Sequence, residues 1–409
     1  MNRRSFLHTG IGAVGMSFWP ALANADSTKS SKSVIYVFLS GGISQIEFIN
    51  PIPDAPIEFR SVTGNVRTKS GYLLGGNFTE LAKISELLTP VVSFHHRDSN
   101  HQSASAWVNT SEFHVPNSGQ RFPSYGSVIS HEFGSNSPSN GIPSYVKTRQ
   151  IEGDDASFLG VRYNGYDADS EGVANLKPRV PDDRFSRRLK IMSMIDGQDI
   201  LTKRGLPNSW SELKGQSVEI IRGEAATAFD ITKEKPEMVA RYSAEKAGLG
   251  RDLLLAKRLV ERGTKFVTVN TGGWDLHSNI ENGFNTRAPQ LDKYLSYLIS
   301  DLKQDGMLDD TLVVVCTEFS RTSRINNNAG RDHQSSTNSL LFAGGGFEHG
   351  RRIGETDKNA TSVVSDDFSP KDFAKTIFDY FGIEEKTFID NQGRPRHLVD
   401  QSAKNILLS

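Results

Sequence analysis

Residues 266–277 read FVTVNTGGWDLH, and residues 311–321 read TLVVVCTEFSR. Each stretch begins with an apolar run rich in β-branched residues, which predicts a buried strand, and ends in a short polar motif. A helical pattern precedes each strand, at residues 252–262 and 291–302. This repeated order of helix, strand and polar motif predicts a parallel sheet covered by helices on both faces.

Other segments extend this pattern towards both ends of the chain. Residues 34–39, 91–94 and 340–342 have the composition of further strands, and residues 370–380 form a last helical pattern. The predicted fold class is therefore α/β, with a doubly wound, mostly parallel sheet. Residues 112–236 are polar and rich in loop-forming residues, which predicts a cap or insertion within a single domain spanning residues 26–409.

The first 25 residues have the features of an export signal. Arg3 and Arg4 precede a weakly apolar stretch, and Ala23-Asn24-Ala25 provides small residues at a cleavage site. We predict a twin-arginine signal peptide at residues 1–25, with the twin-arginine translocase as a partner and a periplasmic or otherwise exported location. No later segment has the ~18 apolar residues of a transmembrane helix, so membrane insertion after cleavage is not expected.

Charge and cysteine content restrict the function further. The 47 Lys and Arg residues nearly balance the 48 Asp and Glu residues, without a long run of either sign. This pattern argues against a nucleic-acid partner and favours a small ligand. The single cysteine, Cys316, lies within an apolar run, which predicts a buried, inert thiol and excludes an intrachain disulfide.

Carboxylates and histidines cluster at or near the predicted strand ends. Candidate metal ligands are His96, His101, Asp275, His277, Glu318, Asp332 and His333. Mixed imidazole and carboxylate ligands suit zinc or manganese, and one or two ions are compatible with this set. The alternative is that individual pairs arise by chance and that the carboxylates only cap helices or turns.

A candidate nucleophile lies where the strand at residues 91–94 turns into a small-residue helix. Ser99 precedes that helix, whose N-terminal amides would stabilise an anion. The alternative is that Ser99 or Asp98 caps the helix. Arg321 and Arg331 flank the motifs and could hold anionic oxygens, although loop arginines are often only solvated.

Five motifs together carry a family resemblance. They are Gly41-Gly42-x-Ser44-Gln45, Ser99-Asn100-His101, Gly272-Gly273-Trp274-Asp275-x-His277, Glu318-Phe319-x-Arg321-Thr322 and Gly330-Arg331-Asp332-His333. The chain resembles domain-of-unknown-function family 1501, exported bacterial proteins that look like a branch of the alkaline phosphatase and sulfatase superfamily. This resemblance implies an alkaline-phosphatase-like fold and a metal centre that hydrolyses phosphate or sulfate esters.

The resemblance also assigns roles within the site. Asp275, His277, Glu318, Asp332 and His333 match the superfamily's metal-binding strand ends, and the turn before residues 103–107 matches its nucleophile helix. The first strand departs from the pattern, because it ends in Ser40-Gly41-Gly42 without the usual aspartate. The C/S-x-P-x-R motif of formylglycine sulfatases is missing, which disfavours that subclass.

Two functional hypotheses result. The first is a periplasmic metal-dependent hydrolase of small anionic esters, phosphate more readily than sulfate, with Ser99, Arg321 and Arg331 as catalytic residues. The second is a non-catalytic exported protein on the same fold that binds an envelope partner or a polysaccharide. The residues leave the ester, the oligomeric state and the role of residues 112–236 open.

Overall fold

The computed structural model describes residues 31–113, 121–169, 180–196, 225–383 and 386–409, together with residues 173, 176, 218 and 220. The predicted leader at residues 1–25 lies outside the described residues. The strands are β1 (Ser33–Leu39), β2 (Asn65–Arg67), β3 (Leu73–Gly75), β4 (Leu88–Phe94), β5 (Tyr145–Lys147), β6 (Tyr166–Asp167), β7 (Phe266–Thr271), β8 (Thr311–Cys316), β9 (Ser320–Arg321), β10 (His333–Gln334), β11 (Asn338–Gly344), β12 (Glu355–Thr356), β13 (Val363–Ser365), β14 (Thr387–Ile389) and β15 (Pro395–His397). The α-helices are α1 (Gln45–Phe48), α2 (Thr79–Lys83), α3 (His101–Thr110), α4 (Tyr125–Phe133), α5 (Asp182–Asp196), α6 (Ala225–Phe229), α7 (Pro236–Arg241), α8 (Leu249–Glu261), α9 (Ile280–Gln304) and α10 (Pro370–Phe381).

A mixed, mostly parallel sheet of seven strands forms the centre of the protein, in the order β4-β11-β8-β1-β7-β5-β6. Strands β8, β1, β7, β5 and β6 pair in parallel, whereas β11 is antiparallel to both β8 and β4. Strand β4 therefore runs in the same direction as β8. The carboxyl ends of six strands meet at one edge of the sheet, beside the amino end of β11, and this edge carries the polar motifs.

Both faces of the sheet are covered by packed helices. In β1, Ile35 and Val37 lie in an apolar core with residues of α8 and α9. Val34 and Tyr36, on the opposite face, pack with residues of α4 and α10. A strand buried on both faces reads as a continuous apolar run, so this packing confirms the predicted fold class.

Part of the predicted insertion belongs to the central sheet. Within residues 112–236, β5 pairs with β7, placing Tyr145 beside Phe266. Helix α4 packs Tyr125 and Val128 into the second apolar core. The cap remains a prediction for the rest of that stretch, much of which lies outside the described residues.

Two smaller expectations also have structural counterparts. Cys316 is a buried free thiol, and its burial raises the pKa of that thiol far above the usual range. Among the described helices, none is long and apolar enough to cross a bilayer.

Candidate metal centre

Strand ends and one short ladder bring the polar residues together. Asp275 and His277 follow β7, and His101 is the first residue of α3, which follows β4. The two-residue strands β9 and β10 pair antiparallel and place His333 opposite Arg321. Segments distant in sequence therefore meet at the carboxyl edge of the sheet.

Two glycines allow these loops to approach closely. A Cβ atom at Gly41, where φ is +109°, would lie 2.7 Å from the backbone nitrogen of Asp275. A Cβ atom at Gly330 would lie 2.1 Å from the carbonyl carbon of His277. Gly330 is thus required by close backbone packing.

Three imidazoles surround the carboxylate of Asp275, and we call His101, Asp275, His277 and His333 the histidine cluster. The Nε2 atoms of His277 and His333 lie 3.0 Å and 3.3 Å from Asp275 Oδ1. His101 Nε2 lies 3.4 Å from Asp275 Oδ2. The Nε2 atoms of His277 and His333 are 3.0 Å apart, so donor atoms converge from several directions.

The other ring nitrogen of each histidine is held by a neighbouring oxygen. The Nδ1 atom donates to Asp332 Oδ1 at 2.7 Å in His277, to the Ser99 carbonyl at 2.8 Å in His333 and to Glu318 Oε1 at 2.6 Å in His101. A neutral imidazole that donates through Nδ1 carries its lone pair on Nε2. All three lone pairs therefore face the cluster, the arrangement typical of metal-binding histidines with hydrogen-bonded partners.

The arrangement fits a divalent cation. The Nε2 atoms of His277 and His333 lie 3.0 Å apart, and a cation beside them would be favoured by both lone pairs. The buried Nε2 of His101 has no hydrogen-bond partner among the described residues. Ligands ~2.0–2.1 Å from a tetrahedral zinc ion lie ~3.3 Å from one another, close to the separations in the cluster. Among the described residues, His101, Asp275 and His333 are the one group of three or more side chains with metal-binding geometry.

Arg321 lies on the inner side of the cluster. Its side chain is 0 % exposed, and it donates to the carbonyls of Gly41 and Gly42 and to Asp275 Oδ1. Burial opposes ionisation of Asp275, but the hydrogen bond and charge of Arg321 outweigh it and hold the pKa of that carboxyl below its usual value. The donors of Arg321 are directed at protein atoms in this structure, and its contact with substrate oxygens stays a prediction.

Glu318 and Asp332 lie beside the cluster and orient its histidines. Glu318 is buried and accepts hydrogen bonds from the Gly41 amide, the Thr317 hydroxyl and His101, and the last of these raises the pKa of His101. The hydrogen bond from His277 lowers the pKa of Asp332. The ligand roles of both carboxylates stay predictions, and in this structure the two side chains fix the orientation of the His101 and His277 rings.

His96 does not join the cluster. Its Nε2 donates to the Glu318 carbonyl at 2.5 Å, and its Nδ1 accepts from the Asp98 amide at 3.2 Å. The ring is buried beside Trp107, and burial lowers the pKa of His96. With both ring nitrogens hydrogen-bonded, His96 is not brought into the cluster, and its ligand role stays a prediction.

The Ser99 hydroxyl is directed away from the cluster. It donates to the Ser335 hydroxyl at 3.1 Å, while the Ser99 carbonyl accepts from His333. Helix α3 is capped by Asn100, whose side chain accepts from the amides of Gln102 and Ser103. Neither the predicted nucleophile nor the alternative cap at Ser99 or Asp98 matches this geometry.

Arg331 is also directed away from the cluster. It is 0 % exposed and forms an ion pair with the fully buried Glu47, with a nitrogen-to-oxygen distance of 2.8 Å. Its remaining donors reach the carbonyls of Arg60, Thr322 and Ser323. We call Glu47 and Arg331 the buried ion pair. It anchors the loop that carries Asp332 and His333, and the substrate contact of Arg331 stays a prediction.

The sequence interpretation missed the role of Phe319. Its fully buried ring lies 4.8 Å from the His101 ring and 4.6 Å from the His333 ring, between centroids. The signal was present in the sequence, since an aromatic residue stands between Glu318 and Ser320 in an otherwise polar strand-end motif. Phe319 packs against two histidines of the cluster and restricts their rings.

Comparisons with known proteins identify one family and several distant structural relatives. A family model described as a protein of unknown function, DUF1501, matches residues 31–408. No curated protein matches the chain.

Three solved structures illustrate the structural similarity. The PsFucS1 sulfatase from Pseudoalteromonas sp. is 9% identical, with a TM-score of 0.46 and coverage of 92% of this chain and 72% of that one. The lipoteichoic acid synthase LtaP from Listeria monocytogenes is 12% identical, with a TM-score of 0.42 and coverage of 92% and 76%. The alkaline phosphatase from the Antarctic bacterium TAB5 is 12% identical, with a TM-score of 0.32 and coverage of 80% and 94%. At these values the similarity says nothing about the substrate of this chain.

Proposed function

The chain belongs to DUF1501, a family of proteins of unknown function, and we propose that it is a metal-dependent hydrolase of phosphate esters. The observation that carries the proposal is the convergence of three Nε2 lone pairs on the carboxylate of Asp275. Such a set of nitrogen and oxygen donors suits zinc or manganese. His101, Asp275, His277 and His333 would hold the ion.

The protein's contribution is to fix the donors and leave one side open. Asp332, Glu318 and the Ser99 carbonyl keep each Nδ1 protonated and each Nε2 available. A bound divalent ion would supply Lewis-acid chemistry, polarising an ester oxygen and making water acidic enough to attack at neutral pH. The side chains of Asp275 and His277 are 47 % and 45 % exposed, which leaves room for a substrate.

The ester class and the location complete the proposal. A small anionic phosphate ester, with a sulfate ester as the weaker candidate, matches the resemblance carried by the sequence motifs. Arg97 and Arg324 are exposed and lie within or beside these motifs, so they are candidates to contact such an anion. We propose export by the twin-arginine translocase, with residues 1–25 as the leader and the periplasm as the place of action.

A specific observation favours a second candidate, a non-catalytic exported protein that binds a polysaccharide or an envelope partner. The Ser99 hydroxyl is directed at Ser335, and the donors of Arg321 and Arg331 are directed at protein atoms. None of the three predicted catalytic residues therefore faces the open side of the cluster. A metal-binding protein without hydrolytic activity would need nothing more than the cluster itself.

Metal analysis combined with phosphate release separates these candidates. We would load the purified chain with zinc or manganese and measure phosphate release from an aryl phosphate monoester and a diester. Hydrolysis should require the metal and fall by at least about 100-fold in His277→Ala, since removing a ligand should cost no less than the 10–100-fold typical of its outer partners.

His397→Ala is the matched control, because His397 lies in the β14–β15 hairpin and contacts Thr387 rather than the cluster. It should retain both metal and activity. A protein that binds the metal but releases no phosphate from either ester would exclude the hydrolase and favour the binding protein. A folded protein that binds no divalent metal would contradict the proposed centre itself.

A further inference from the structure

We propose that the histidine cluster holds a single divalent ion and that Arg321 supplies a fixed positive charge beside Asp275 Oδ1 and His277 Nε2. This inference rests on the proposed function, since it concerns the same centre, and it deepens that function by fixing the number of ions. It follows from the donors that face the cluster and from the groups that close its inner side.

The lone pairs available to an ion belong to one set. Three Nε2 atoms lie 3.0–3.4 Å from the carboxylate oxygens of Asp275, and His101, Asp275 and His333 lie close enough together to share one ion. Glu318 is not available to a further ion, because its oxygens accept from His101, the Gly41 amide and the Thr317 hydroxyl. Within the described part of the chain, no second group with metal-binding geometry accompanies this one.

A second ion bridged by the Asp275 carboxylate would lie close to the positive charge of Arg321. Two-metal hydrolytic sites hold their ions ~3.5–4 Å apart, so both ions contact shared ligands. Asp275 is the one carboxylate in the cluster, and its Oδ1 accepts from Arg321 Nη2. A guanidinium stays charged at every physiological pH. A second divalent ion on that side of Asp275 would therefore be repelled by a charge that cannot be removed.

Hydrogen bonds to backbone carbonyls keep the Arg321 side chain beside Asp275. Nε donates to Gly42 O at 2.8 Å, and Nη2 also donates to Gly41 O. Nη1 lies 3.3 Å from His277 Nε2 and 3.4 Å from the Arg331 carbonyl. Moving the side chain away would leave buried carbonyls without donors, which is costly. The positive charge is thus a permanent part of the site.

Phe319 closes a neighbouring flank with apolar surface. Its ring packs against His101 and His333 and offers no lone pair to a cation. The guanidinium carbon of Arg321 lies 5.8 Å from the centre of the same ring. Between them, the aromatic ring and the guanidinium occupy the inner side of the cluster, and the solvent side remains the way in for one ion.

Metal stoichiometry tests this inference without relying on activity. The full chain would be stripped with a chelator, titrated with zinc or manganese by calorimetry and analysed for bound metal after gel filtration. We expect one ion per chain at saturation. Two ions per chain would overturn the inference while leaving the proposed metal centre intact. No bound ion would instead refute the proposed centre, and the inference with it.

Two variants test the role of the charge. Arg321→Gln should bind the ion at least about 10-fold more tightly than the wild type, because a positive charge beside Asp275 disappears from a partly buried site. Arg321→Lys keeps the charge and should stay closer to the wild-type affinity. Equal or weaker binding in a folded Arg321→Gln variant would mean that Arg321 only organises the loops, and would overturn the electrostatic role. If Arg321→Gln does not fold, the wild-type stoichiometry still tests the number of ions. The metal affinity of Arg321→Lys then tests the role of the charge, since a large change in that affinity would contradict the proposal.

Discussion

Arg321 and Arg331 lie ten residues apart in the segment between β8 and β11, and both are completely buried. Arg321 pairs with Asp275, a half-exposed carboxylate within the histidine cluster. Arg331 pairs with Glu47, a carboxylate as buried as the arginine itself. Arg321 thus sets the electrostatics of the histidine cluster, and Arg331 anchors the loop that carries Asp332 and His333.

The difference shows that burial alone does not define a role. The guanidinium of each arginine is surrounded by backbone carbonyls and one carboxylate. What separates the two is the exposure of the partner, because a carboxylate that reaches solvent can also reach an ion or a ligand. The pair at Arg331 has no such access, so its effect on the site must pass through the position of Asp332 and His333.

The largest effect should come from breaking the buried ion pair. Glu47→Leu leaves the Arg331 charge buried without its carboxylate, and this should lower the free energy of unfolding by about 3–5 kcal/mol. Urea unfolding followed by circular dichroism measures it. Removing the exposed pair of Lys371 and Asp400 by Lys371→Ala should cost less than about 1 kcal/mol. Equal losses in the two variants would contradict the assigned role of Glu47.

Asp292 can be compared with Glu47, because it is a buried carboxylate that accepts hydrogen bonds from backbone amides rather than from an arginine. It accepts from the amides of Glu80 and Leu81, and burial raises its pKa to about 6 against an ordinary value of 3.8. The folded state therefore holds this proton more tightly than the unfolded state. The resulting stabilisation is complete below about pH 4 and is lost as the pH rises through 6.

A difference of about two pKa units corresponds to about 3 kcal/mol. The free energy of unfolding, measured for the wild type and Asp292→Asn at pH values from 4 to 7, should diverge by up to this amount. Other carboxylates titrate in the same range, so the difference between the two proteins is the quantity to follow. A constant difference across that range would show that Asp292 does not carry the pH dependence.

Asp332 tests the role of the groups around the histidine cluster. It accepts a hydrogen bond from His277 but supplies no lone pair to the centre of the cluster. Asp332→Ala should weaken metal affinity by about 10–100-fold, as expected for the partner of a metal-binding histidine. Stability should change little, because the side chain is 55 % exposed. Asp367→Ala is the control, as it removes an exposed carboxylate from His95, outside the cluster. Similar metal affinities in the two variants would contradict the role of Asp332.

The smallest effect is expected at Ser99. Ser99→Ala removes a hydroxyl that contacts Ser335 but leaves the carbonyl that accepts from His333. Any hydrolytic rate should stay within about twofold of the wild type, whereas loss of a true nucleophile lowers kcat by orders of magnitude. A loss of that size in steady-state phosphate release would restore Ser99 as the nucleophile and require the loop to rearrange with substrate.

The fold could be predicted where apolar runs were long and uninterrupted. Strands β1, β7 and β8 were recognisable because burial on both faces leaves few polar positions in them. Residues 81–88 carry apolar residues at helical spacing, yet α2 ends at Lys83 and β4 begins at Leu88. The apolar residues there are too few to distinguish the two structures, and the decision comes from pairing of Leu88 with Ala343, which is remote in sequence.

The sequence predicts where the site lies in the fold, but not which side chain binds a metal and which only orients a neighbour. Parallel strands deliver their ends to one edge, and the structure brings Asp275, His277 and His333 together there. Whether a histidine offers a free nitrogen depends on acceptors elsewhere in the chain. His96 is occupied by the carbonyl of Glu318, 222 residues away, and no local pattern reveals such a contact.

The antiparallel direction of β11 has a consequence for how this protein can be altered. Because β8 ends and β11 begins at the same edge, residues 317–337 leave the sheet and return to it at neighbouring positions. That excursion carries Phe319, Arg321, Arg331 and His333. This segment can be replaced as a whole without changing the strand order of the sheet, provided that Asp275, His101 and Glu47 remain to contact it. Engineering and natural divergence can thus remodel most of one wall of the centre in a single replacement.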